Sequence, residues 1–142
     1  MEKYQFDDFR SYSLSKLFNL FFVRLLNDKL KNKTKNTKIY AIHPGSCKSD
    51  AHLTRTGFRK HLANFTMKCF FRSAKAGAAT IVYCACSEDK IVVENSGKYF
   101  ENCIEADRYS SELSRDMEWA EKVWKRTVEV TGVDLELDLI EN

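Results

Sequence analysis

The sequence predicts an α/β fold for these 142 residues, and three observations lead to that prediction. Residues 9–31 carry apolar side chains at helical spacing. A short polar loop follows, and then a β-branched and aromatic run, Lys38–His43, is stopped by Pro44-Gly45. A helix, a short loop and a strand of buried character form half of a βαβ unit. The five glycines and single proline argue against a turn-rich all-β sandwich.

The first predicted helix runs from about Phe9 to Lys31. Its apolar residues recur every three or four positions and form a band wide enough to imply burial on more than one side. These residues are Leu14, Leu17, Phe18, Phe21, Phe22, Leu25 and Leu26. A polar loop over Asn32–Thr37 then leads into the predicted strand Lys38–His43.

The segment after the Pro44-Gly45 turn contains a basic stretch and a second helix. Ser46–Thr56 is predicted to be irregular, and Phe58–Arg72 combines phenylalanines with lysines and arginines in an amphipathic pattern. Ser73 can cap a helix over Ala74 to about Cys86, whose many alanines suit close packing.

The last third of the chain predicts a strand and a final helix. The run Ser96-Gly97-Lys98-Tyr99-Phe100 is typical of a turn that leads into a short strand. The last helix is predicted to begin at Ser110 or Ser111 and to end at about Thr131, with Gly132 as the residue after it. The alternating acidic tail from Asp134 is predicted to be frayed.

The charge is unevenly distributed along the chain. Residues 1–75 hold 16 lysines and arginines against 5 aspartates and glutamates, whereas residues 76–142 hold 7 against 15. The basic run Lys29–Lys38 permits a phosphate-binding stripe, but it has no interleaved aromatic residues for base stacking. A solvated helix end and loop is therefore favoured, and no nucleic-acid partner is expected. With a mean hydropathy of −0.44, no apolar run approaches the ~20 residues of a membrane span.

The cysteine pattern indicates reduced thiols. There are five cysteines, no CxxC pair, and a Met-Glu-Lys start without the features of a secretory signal. Cys84 and Cys86 stand two apart in a helical pattern, so they are predicted to point to different faces. The three histidines lie in unlike contexts, and no metal site is predicted.

A candidate catalytic pair lies near the start of the first helix. Tyr12 and Lys16 are four residues apart, so they share one helix face. An ammonium group close to a phenol favours the phenolate, which lets a tyrosine serve as a general acid or base. A Tyr-x-x-x-Lys pair of this kind also occurs by chance on an ordinary helix surface, so the neighbouring residues decide how much weight the pair carries.

Those neighbours form an ordered set of motifs. Tyr12-Ser13-Leu14-Ser15-Lys16-Leu17-Phe18-Asn19 is followed by Tyr40-Ala41-Ile42-His43-Pro44-Gly45, an alanine-rich helix after Lys75, and Ser96-Gly97-Lys98-Tyr99-Phe100. In this order and spacing the set resembles the C-terminal half of the short-chain dehydrogenase/reductase family. It looks most similar to the retinol dehydrogenase-like and WW-domain oxidoreductase-like branch. The resemblance covers residues 9–133 and leaves 134–142 as an acidic tail.

The resemblance implies a fold and a domain boundary. Residues 1–142 would form a partial domain, the C-terminal part of a Rossmann-type doubly wound parallel sheet. The family's glycine-rich first turn, its Asn-Ala-Gly segment and its catalytic serine have no counterpart in the sequence, since only eleven residues precede Tyr12. The N-terminal dinucleotide-binding half is therefore expected to be missing.

The resemblance also implies roles for individual residues. Tyr12 would exchange a proton with the substrate oxygen, and Lys16 would bind the nicotinamide ribose and support Tyr12. The cofactor-binding set implied in this way is Tyr12, Lys16, Pro44, Gly45, Ser46, Cys47 and Ser49. Ser46-Cys47-Lys48 replaces the apolar pair that usually follows Pro-Gly in the family, so the cofactor contacts there are expected to differ.

The implied function is an NAD(P)-dependent oxidoreductase that interconverts an alcohol and a carbonyl on a lipophilic substrate such as retinol or retinal, with NADP favoured by the resemblance alone. As a truncated chain it is expected to be inactive by itself. The alternative is a non-catalytic interaction or regulatory fragment that pairs with a full-length relative. A cytoplasmic location, or one on the cytosolic face of an internal membrane, is expected.

Two further contacts follow from the same resemblance. Phe58–Arg72 takes the place of the substrate lid, and its apolar face suits a lipid-like substrate or a membrane surface, although a lid that packs only on its own body fits the pattern equally well. The helix that carries Tyr12 and Lys16 is expected to support homo-oligomers.

Overall fold

A computed structural model describes residues 7–34, 36–47 and 72–133 of the chain. These ranges contain four α-helices and three short strands, with two 3₁₀ turns before the last helix. In chain order they are α1 (Asp8–Leu30), β1 (Ala41–His43), α2 (Ala74–Cys86), α3 (Lys90–Val93), β2 (Tyr99–Glu101), β3 (Ile104–Glu105), the turns Asp107–Tyr109 and Glu112–Arg115, and α4 (Met117–Thr131). The predicted α/β class is confirmed.

Helix α1 forms where the apolar periodicity predicts it. Asp7 caps its first turn, because its carboxylate accepts hydrogen bonds from the backbone N–H groups of Phe9 (3.0 Å) and Arg10 (3.3 Å). Phe21, Leu25 and Leu30 are buried along its second half. The first turns, by contrast, expose their apolar side chains, and this difference matters for the candidate site.

The strands form one small mixed sheet in the order β1-β2-β3. Strands β1 and β2 are parallel, with Ala41 opposite Tyr99 and His43 opposite Glu101. The parallel pair agrees with the predicted sheet, and β1 occupies only the last three residues of the predicted strand. Strand β3 is antiparallel to β2, so the small sheet of the described residues is mixed, which is compatible with part of a Rossmann-type sheet.

The antiparallel strand arises from a two-residue hairpin. Asn102 and Cys103 both adopt positive φ, 56° and 60°, as tight hairpin turns of the primed types require. Asparagine tolerates positive φ, whereas cysteine adopts it only uncommonly. Because Cys103 stands where glycine is usual, the sequence lacks the Asn-Gly signal of such a hairpin. The Cys103 N–H donates to Thr80 Oγ1 (3.2 Å), which ties the hairpin to α2.

The structure confirms the predicted start of α2 and corrects the predicted start of α4. Ser73 caps α2, its Oγ accepting from the Ala76 N–H at 3.2 Å. Helix α4 begins at Met117, capped by Asp116, and not at Ser110 or Ser111 as the sequence predicted. The Ser110 hydroxyl donates instead to the Asp107 carbonyl (2.7 Å) and belongs to the 3₁₀ turns.

Other features of the two helices also follow the sequence. Gly132 ends α4 in the left-handed conformation (φ 68°), as predicted. Cys84 is buried while Cys86 is exposed, so the two cysteines do face different ways. The short helix α3 was not predicted.

Two separate packing centres hold these elements together. The sheet core consists of Cys84, Val92 and Phe100, with Tyr40, Ile42 and Tyr83 packed around it. The helix-pair core consists of Phe21, Leu25 and Ala120, with Leu17, Val123 and Trp124 packed around it, and joins α1 to α4. Among the described helices, none combines the length and apolar character needed to cross a bilayer.

Candidate active site

Tyr12 and Lys16 lie together on the exposed first half of α1. The Lys16 Nζ atom is 5.3 Å from the centroid of the Tyr12 ring, which is a cation–π contact across one helical turn. Tyr12 is 62% exposed, so its hydroxyl is open to solvent or to a ligand. The neighbouring serines bond to their own helix: Ser13 Oγ donates to the Phe9 carbonyl and Ser15 Oγ to the Tyr12 carbonyl. The predicted pairing of Tyr12 with Lys16 is present in the structure.

The Pro44–Cys47 turn follows β1 and is closed by its own hydrogen bonds. Gly45 adopts φ +77°, a conformation that glycine reaches without strain. Its N–H donates to Nδ1 of His43 at 3.1 Å, and the Cys47 thiol donates to the Pro44 carbonyl at 3.2 Å. The four residues predicted for this part of the site, Pro44 to Cys47, therefore form one compact unit.

Neighbouring segments support that unit from two sides. The Arg72 N–H donates to the Ser46 carbonyl at 2.8 Å, and Cys47 and Arg72 form an isolated parallel bridge. Gly77, in the first turns of α2, lies against the turn so closely that a Cβ there would stand 2.3 Å from Cys47 Sγ and 3.5 Å from the Pro44 carbonyl oxygen. Sequence reasoning missed Gly77, although a lone glycine inside an alanine-rich helix is a signal of close approach.

Sequence analysis also did not predict a second group of side chains, which lies next to the turn. His43 Nδ1 is 3.3 Å from Glu101 Oε1, across the parallel pair of β1 and β2. The other carboxylate oxygen, Oε2, accepts a hydrogen bond of 3.5 Å from the Tyr99 hydroxyl. Burial raises the pKa of Tyr99, and the charge of Glu101 raises it further. The carboxylate thus interacts with an imidazole on one side and a phenol on the other.

The far end of α1 is attached to the start of β1. Ser96 Oγ donates to Asn27 Oδ1 (2.7 Å) and accepts from the Ile39 N–H (3.0 Å), so it joins the helix to the strand. Gly97 makes this approach feasible, since a Cβ there would lie 2.7 Å from Asn27 Nδ2. Tyr12 precedes Asn27 by 15 residues, about 22 Å along the helix axis. Within the described ranges, no contact joins Tyr12 or Lys16 to the Pro44–Cys47 turn.

The remaining predicted segments lie outside the described residues. Ser49, the predicted ligand of the carboxamide group, belongs to the undescribed range 48–71. The predicted lid Phe58–Arg72 lies outside as well, apart from Arg72 itself, and so does the tail from Asp134. Lys29 of the basic run is described: its Nζ is 3.5 Å from Glu121 and 5.7 Å from the Trp124 ring centroid. This lysine therefore helps to join α1 and α4.

Comparison with known proteins shows which class of protein this chain resembles. The chain is similar to retinol dehydrogenase 12 of Mus musculus, with 34% identity over 126 residues that make up 89% of this chain and 37% of the relative. Retinol dehydrogenase 14 of Mus musculus is 31% identical over 86% of this chain and 35% of the relative. The WW domain-containing oxidoreductase of Drosophila melanogaster is 29% identical over 81% and 26%. No family model and no solved structure matches.

These relatives are members of the short-chain dehydrogenase/reductase family, so the predicted family resemblance is confirmed over most of this chain. Within that family, the matched relatives include retinol dehydrogenases and the WW domain-containing oxidoreductase, the branch that the motifs indicated. The chain spans little more than a third of the length of the retinol dehydrogenases it matches.

Proposed function

We propose that this chain carries the proton-transfer side chains and the nicotinamide-bordering turn of an NAD(P)-dependent oxidoreductase. The reaction is the interconversion of an alcohol and a carbonyl on a lipophilic substrate. One observation carries the proposal: Tyr12 and Lys16 pair on an exposed helix face, in a chain whose relatives are oxidoreductases of the short-chain dehydrogenase/reductase family.

The proposed role of Tyr12 is general acid and base. Its exposed hydroxyl can donate a proton to the substrate oxygen during carbonyl reduction and take one back during alcohol oxidation. Lys16 places a positive charge one helical turn away and has the reach to hydrogen-bond a ribose hydroxyl. The bound nicotinamide would supply or accept the hydride, which is the part of the chemistry that no side chain provides.

The Pro44–Cys47 turn fits the nicotinamide half of such a cofactor. Gly45 has no side chain and a left-handed backbone, so a flat ring can approach its peptide closely. The turn is also held by α2 and by Arg72, which favours a fixed binding surface. The adenosine half would need a glycine-rich phosphate-binding turn, which these 142 residues lack. We propose that residues outside this sequence provide it and that the chain alone is inactive.

The proposed substrate class comes from the matched relatives, whose names specify retinol. A retinoid or another long apolar alcohol also suits the amphipathic composition of Phe58–Arg72, the proposed lid. We propose that this segment faces the lipid substrate or a membrane surface, with the protein at the cytosolic side of an internal membrane. NADP is proposed in preference to NAD on family resemblance alone.

A second copy of the chain is the proposed partner of α1. The groove between α1 and α4 has a volume of about 450 Å³ and is lined mainly by apolar side chains. Phe18 and Phe22 lie on its α1 side and are about half exposed. Light scattering is expected to show a dimer that Phe22→Glu converts to a monomer. A wild-type monomer at high protein concentration would contradict this proposal.

The binding half of the proposal can be tested on the 142-residue chain itself. We expect NADPH at millimolar concentration to shift the backbone NMR resonances of Tyr12, Lys16, Gly45, Ser46 and Cys47, because these residues form the nicotinamide half of the site. Binding as tight as that of a complete dehydrogenase would refute the proposal that the adenosine site is missing. Absence of any shift at these residues would refute the proposed cofactor surface.

The catalytic half is tested by turnover of retinal with NADPH in a protein in which the proposed adenosine-binding half is joined to this chain. Tyr12→Phe is expected to lower kcat by about 10²- to 10⁴-fold, the usual contribution of a positioned acid or base. Tyr109→Phe is the matched control, since Tyr109 is 67% exposed and stacks with a cation as Tyr12 does. Lys122→Met, which removes a similar cation–π contact with Trp119, is the control for Lys16→Met. Equal activity of Tyr12→Phe and Tyr109→Phe would disprove the role of Tyr12.

A further inference from the structure

The Nδ1 atom of His43 faces two groups with opposite hydrogen-bonding needs. The Gly45 N–H, a donor, lies 3.1 Å away, and the Glu101 carboxylate oxygen Oε1, an acceptor, lies 3.3 Å away. A ring nitrogen either carries a hydrogen and donates, or carries a lone pair and accepts. Nδ1 can therefore satisfy Gly45 or Glu101 at a given moment, but not both.

We propose that His43 is a positioning residue for Gly45 in the Pro44–Cys47 turn and that protonation of its imidazole breaks the hydrogen bond that positions Gly45. With a bare Nδ1 the ring accepts the Gly45 N–H and holds that residue in its left-handed conformation. When the ring takes a proton from solvent, both nitrogens become donors and Nδ1–H turns to Glu101. The Gly45 N–H then loses its acceptor.

The surroundings of the ring make this exchange reversible. His43 and Glu101 side chains are 50% and 34% exposed, so protons reach the ring and the ion pair is weak. On β2, Tyr99 lies with its ring centroid 6.5 Å from that of His43 and shares the Glu101 carboxylate. On the other side, the Arg72 side chain lies beside Gly45 and opposes a second positive charge there. The Cys47 thiol bonds to the Pro44 carbonyl and does not compete for Nδ1.

The consequence for activity rests on the proposed function. If the turn borders the nicotinamide, loss of the Gly45 bond loosens the cofactor surface as the pH falls. Histidine is the side chain that ordinarily changes charge between pH 5 and 8. The binding of NADPH should therefore weaken when the ring is protonated, through a residue that touches neither the substrate nor the reacting atoms.

The structural half of the inference can be tested without any cofactor. In the ¹⁵N-labelled 142-residue chain, we expect an NMR coupling across the hydrogen bond between the Gly45 nitrogen and His43 Nδ1 at pH 8 and its loss at pH 5. The Gly45 amide resonance should move with the same midpoint as the His43 ring resonances. A Gly45 amide that stays unchanged while the His43 ring titrates would overturn the proposal.

Two variants separate this device from a general pH effect. His43→Asn places a non-titrating carbonyl oxygen two residues before Gly45, the relation found in Asx turns, so the Gly45 resonance should stay constant from pH 5 to 8. His43→Ser is a second non-titrating variant, whose hydroxyl oxygen stands in the same relation to Gly45, as in ST turns. The same pH dependence in His43→Asn as in the wild type would contradict the proposal. If His43→Asn does not fold, His43→Ser decides, and a Gly45 resonance that still changes with pH in that variant counts against the device.

Cofactor binding is measured separately. The Kd for NADPH should rise from pH 8 to pH 5 in the wild type and stay constant in His43→Asn. If NADPH does not bind at all, the proposed function fails while the NMR result for Gly45 still stands or falls independently. Equal binding of NADPH at both pH values, although the Gly45–His43 hydrogen bond is lost at pH 5, would show that this hydrogen bond does not position the cofactor. The proposed link to binding would then be wrong.

Discussion

The sheet core and the helix-pair core differ in how completely they are closed, and the two halves of the candidate site differ in the same way. Phe100 in the sheet core is 0% exposed and meets Tyr40 edge-to-face at 5.4 Å. At the edge of the helix-pair core, Phe22 stacks on Trp124 at 5.6 Å but remains 46% exposed beside an open groove. The turn at Pro44 comes directly after strand β1, which packs in the sheet core. Tyr12, by contrast, lies on the exposed first half of α1, the helix that forms one side of the helix-pair core.

This difference indicates that the two halves of the candidate site are supported in different ways. The Pro44–Cys47 turn is held in place by α2, Arg72 and its own hydrogen bonds. Tyr12 and Lys16 precede Leu17, the first residue of α1 that packs against the helix-pair core, and within the described residues their side chains contact each other on an exposed face. The turn is therefore preorganised by the described residues, while the helix face that carries Tyr12 and Lys16 depends on whatever covers it.

The largest expected effect comes from opening the sheet core. Phe100→Ala should lower the free energy of unfolding by about 3–5 kcal/mol, because it leaves a cavity among Cys84, Val92 and Tyr40. Phe22→Ala at the edge of the helix-pair core is the control and should cost about 1 kcal/mol, mainly through the lost Trp124 stacking. Urea denaturation measures both. Equal losses would show that the two cores are closed to the same degree.

The next effect concerns the link between the two cores. Arg24 on α1 donates to Asp107 at 2.8 Å, and that carboxylate also accepts the Tyr99 N–H at the start of β2. Arg24→Met should cost about 1.5–3 kcal/mol, because the buried Asp107 loses its best charged donor while Lys98 and Arg115 remain near. The same denaturation experiment tests it, with the exposed Arg126→Met as control. A loss no larger than that of the control would show that the link is not stabilising.

A smaller change tests how firmly α2 supports the turn. Gly77→Ala should cost about 1–3 kcal/mol, since the new methyl group meets Cys47 Sγ. Adding Cys47→Ala should recover most of that loss, because it removes the atom in the way. The two single variants and the double variant form a thermodynamic cycle. Additive losses would contradict direct contact between α2 and the turn.

The smallest expected effect is a pH dependence of the sheet core. Burial raises the pKa of Tyr40, and the nearby Cys84 raises it further, so the folded chain favours the neutral phenol. The resulting stability is complete below about pH 10, the pKa of an unfolded tyrosine, and is lost as the pH rises above it. Tyr40→Phe should therefore reduce the fall in stability between pH 9 and 11.

Urea midpoints at pH 8, 9, 10 and 11 measure that fall. The Tyr40 hydroxyl also donates to the Val92 carbonyl at 3.0 Å, so the variant should be less stable by about 0.5–1.5 kcal/mol at pH 8. Tyr109→Phe, at an exposed position, should leave the alkaline slope unchanged. An identical slope in Tyr40→Phe and the wild type would rule out a contribution from this phenol.

Much of the fold was predictable because its signals are local. Helix α1, the Ser73 cap of α2, the strand after Gly97 and the left-handed Gly132 depend on periodicity and on single capping or turn residues. The hairpin at Asn102-Cys103 was not predictable, since its conformation is supported by Thr80 on helix α2, which lies far away in the sequence. The start of α4 was misplaced because Ser110 bonds to the Asp107 carbonyl in place of capping a helix.

The sequence by itself determined the candidate pair and the family resemblance. Tyr12 and Lys16 lie on one face because any α-helix aligns residues four apart, and the ordered motifs carry the resemblance to short-chain dehydrogenases/reductases. Only the tertiary structure decided how the Pro44–Cys47 turn is supported. Gly77 and Glu101 lie at least 30 residues from that turn in the chain, and packing of α2 and pairing of β1 with β2 bring them to it. Such long-range contacts leave no periodic signal, because they arise from how the elements pack against one another.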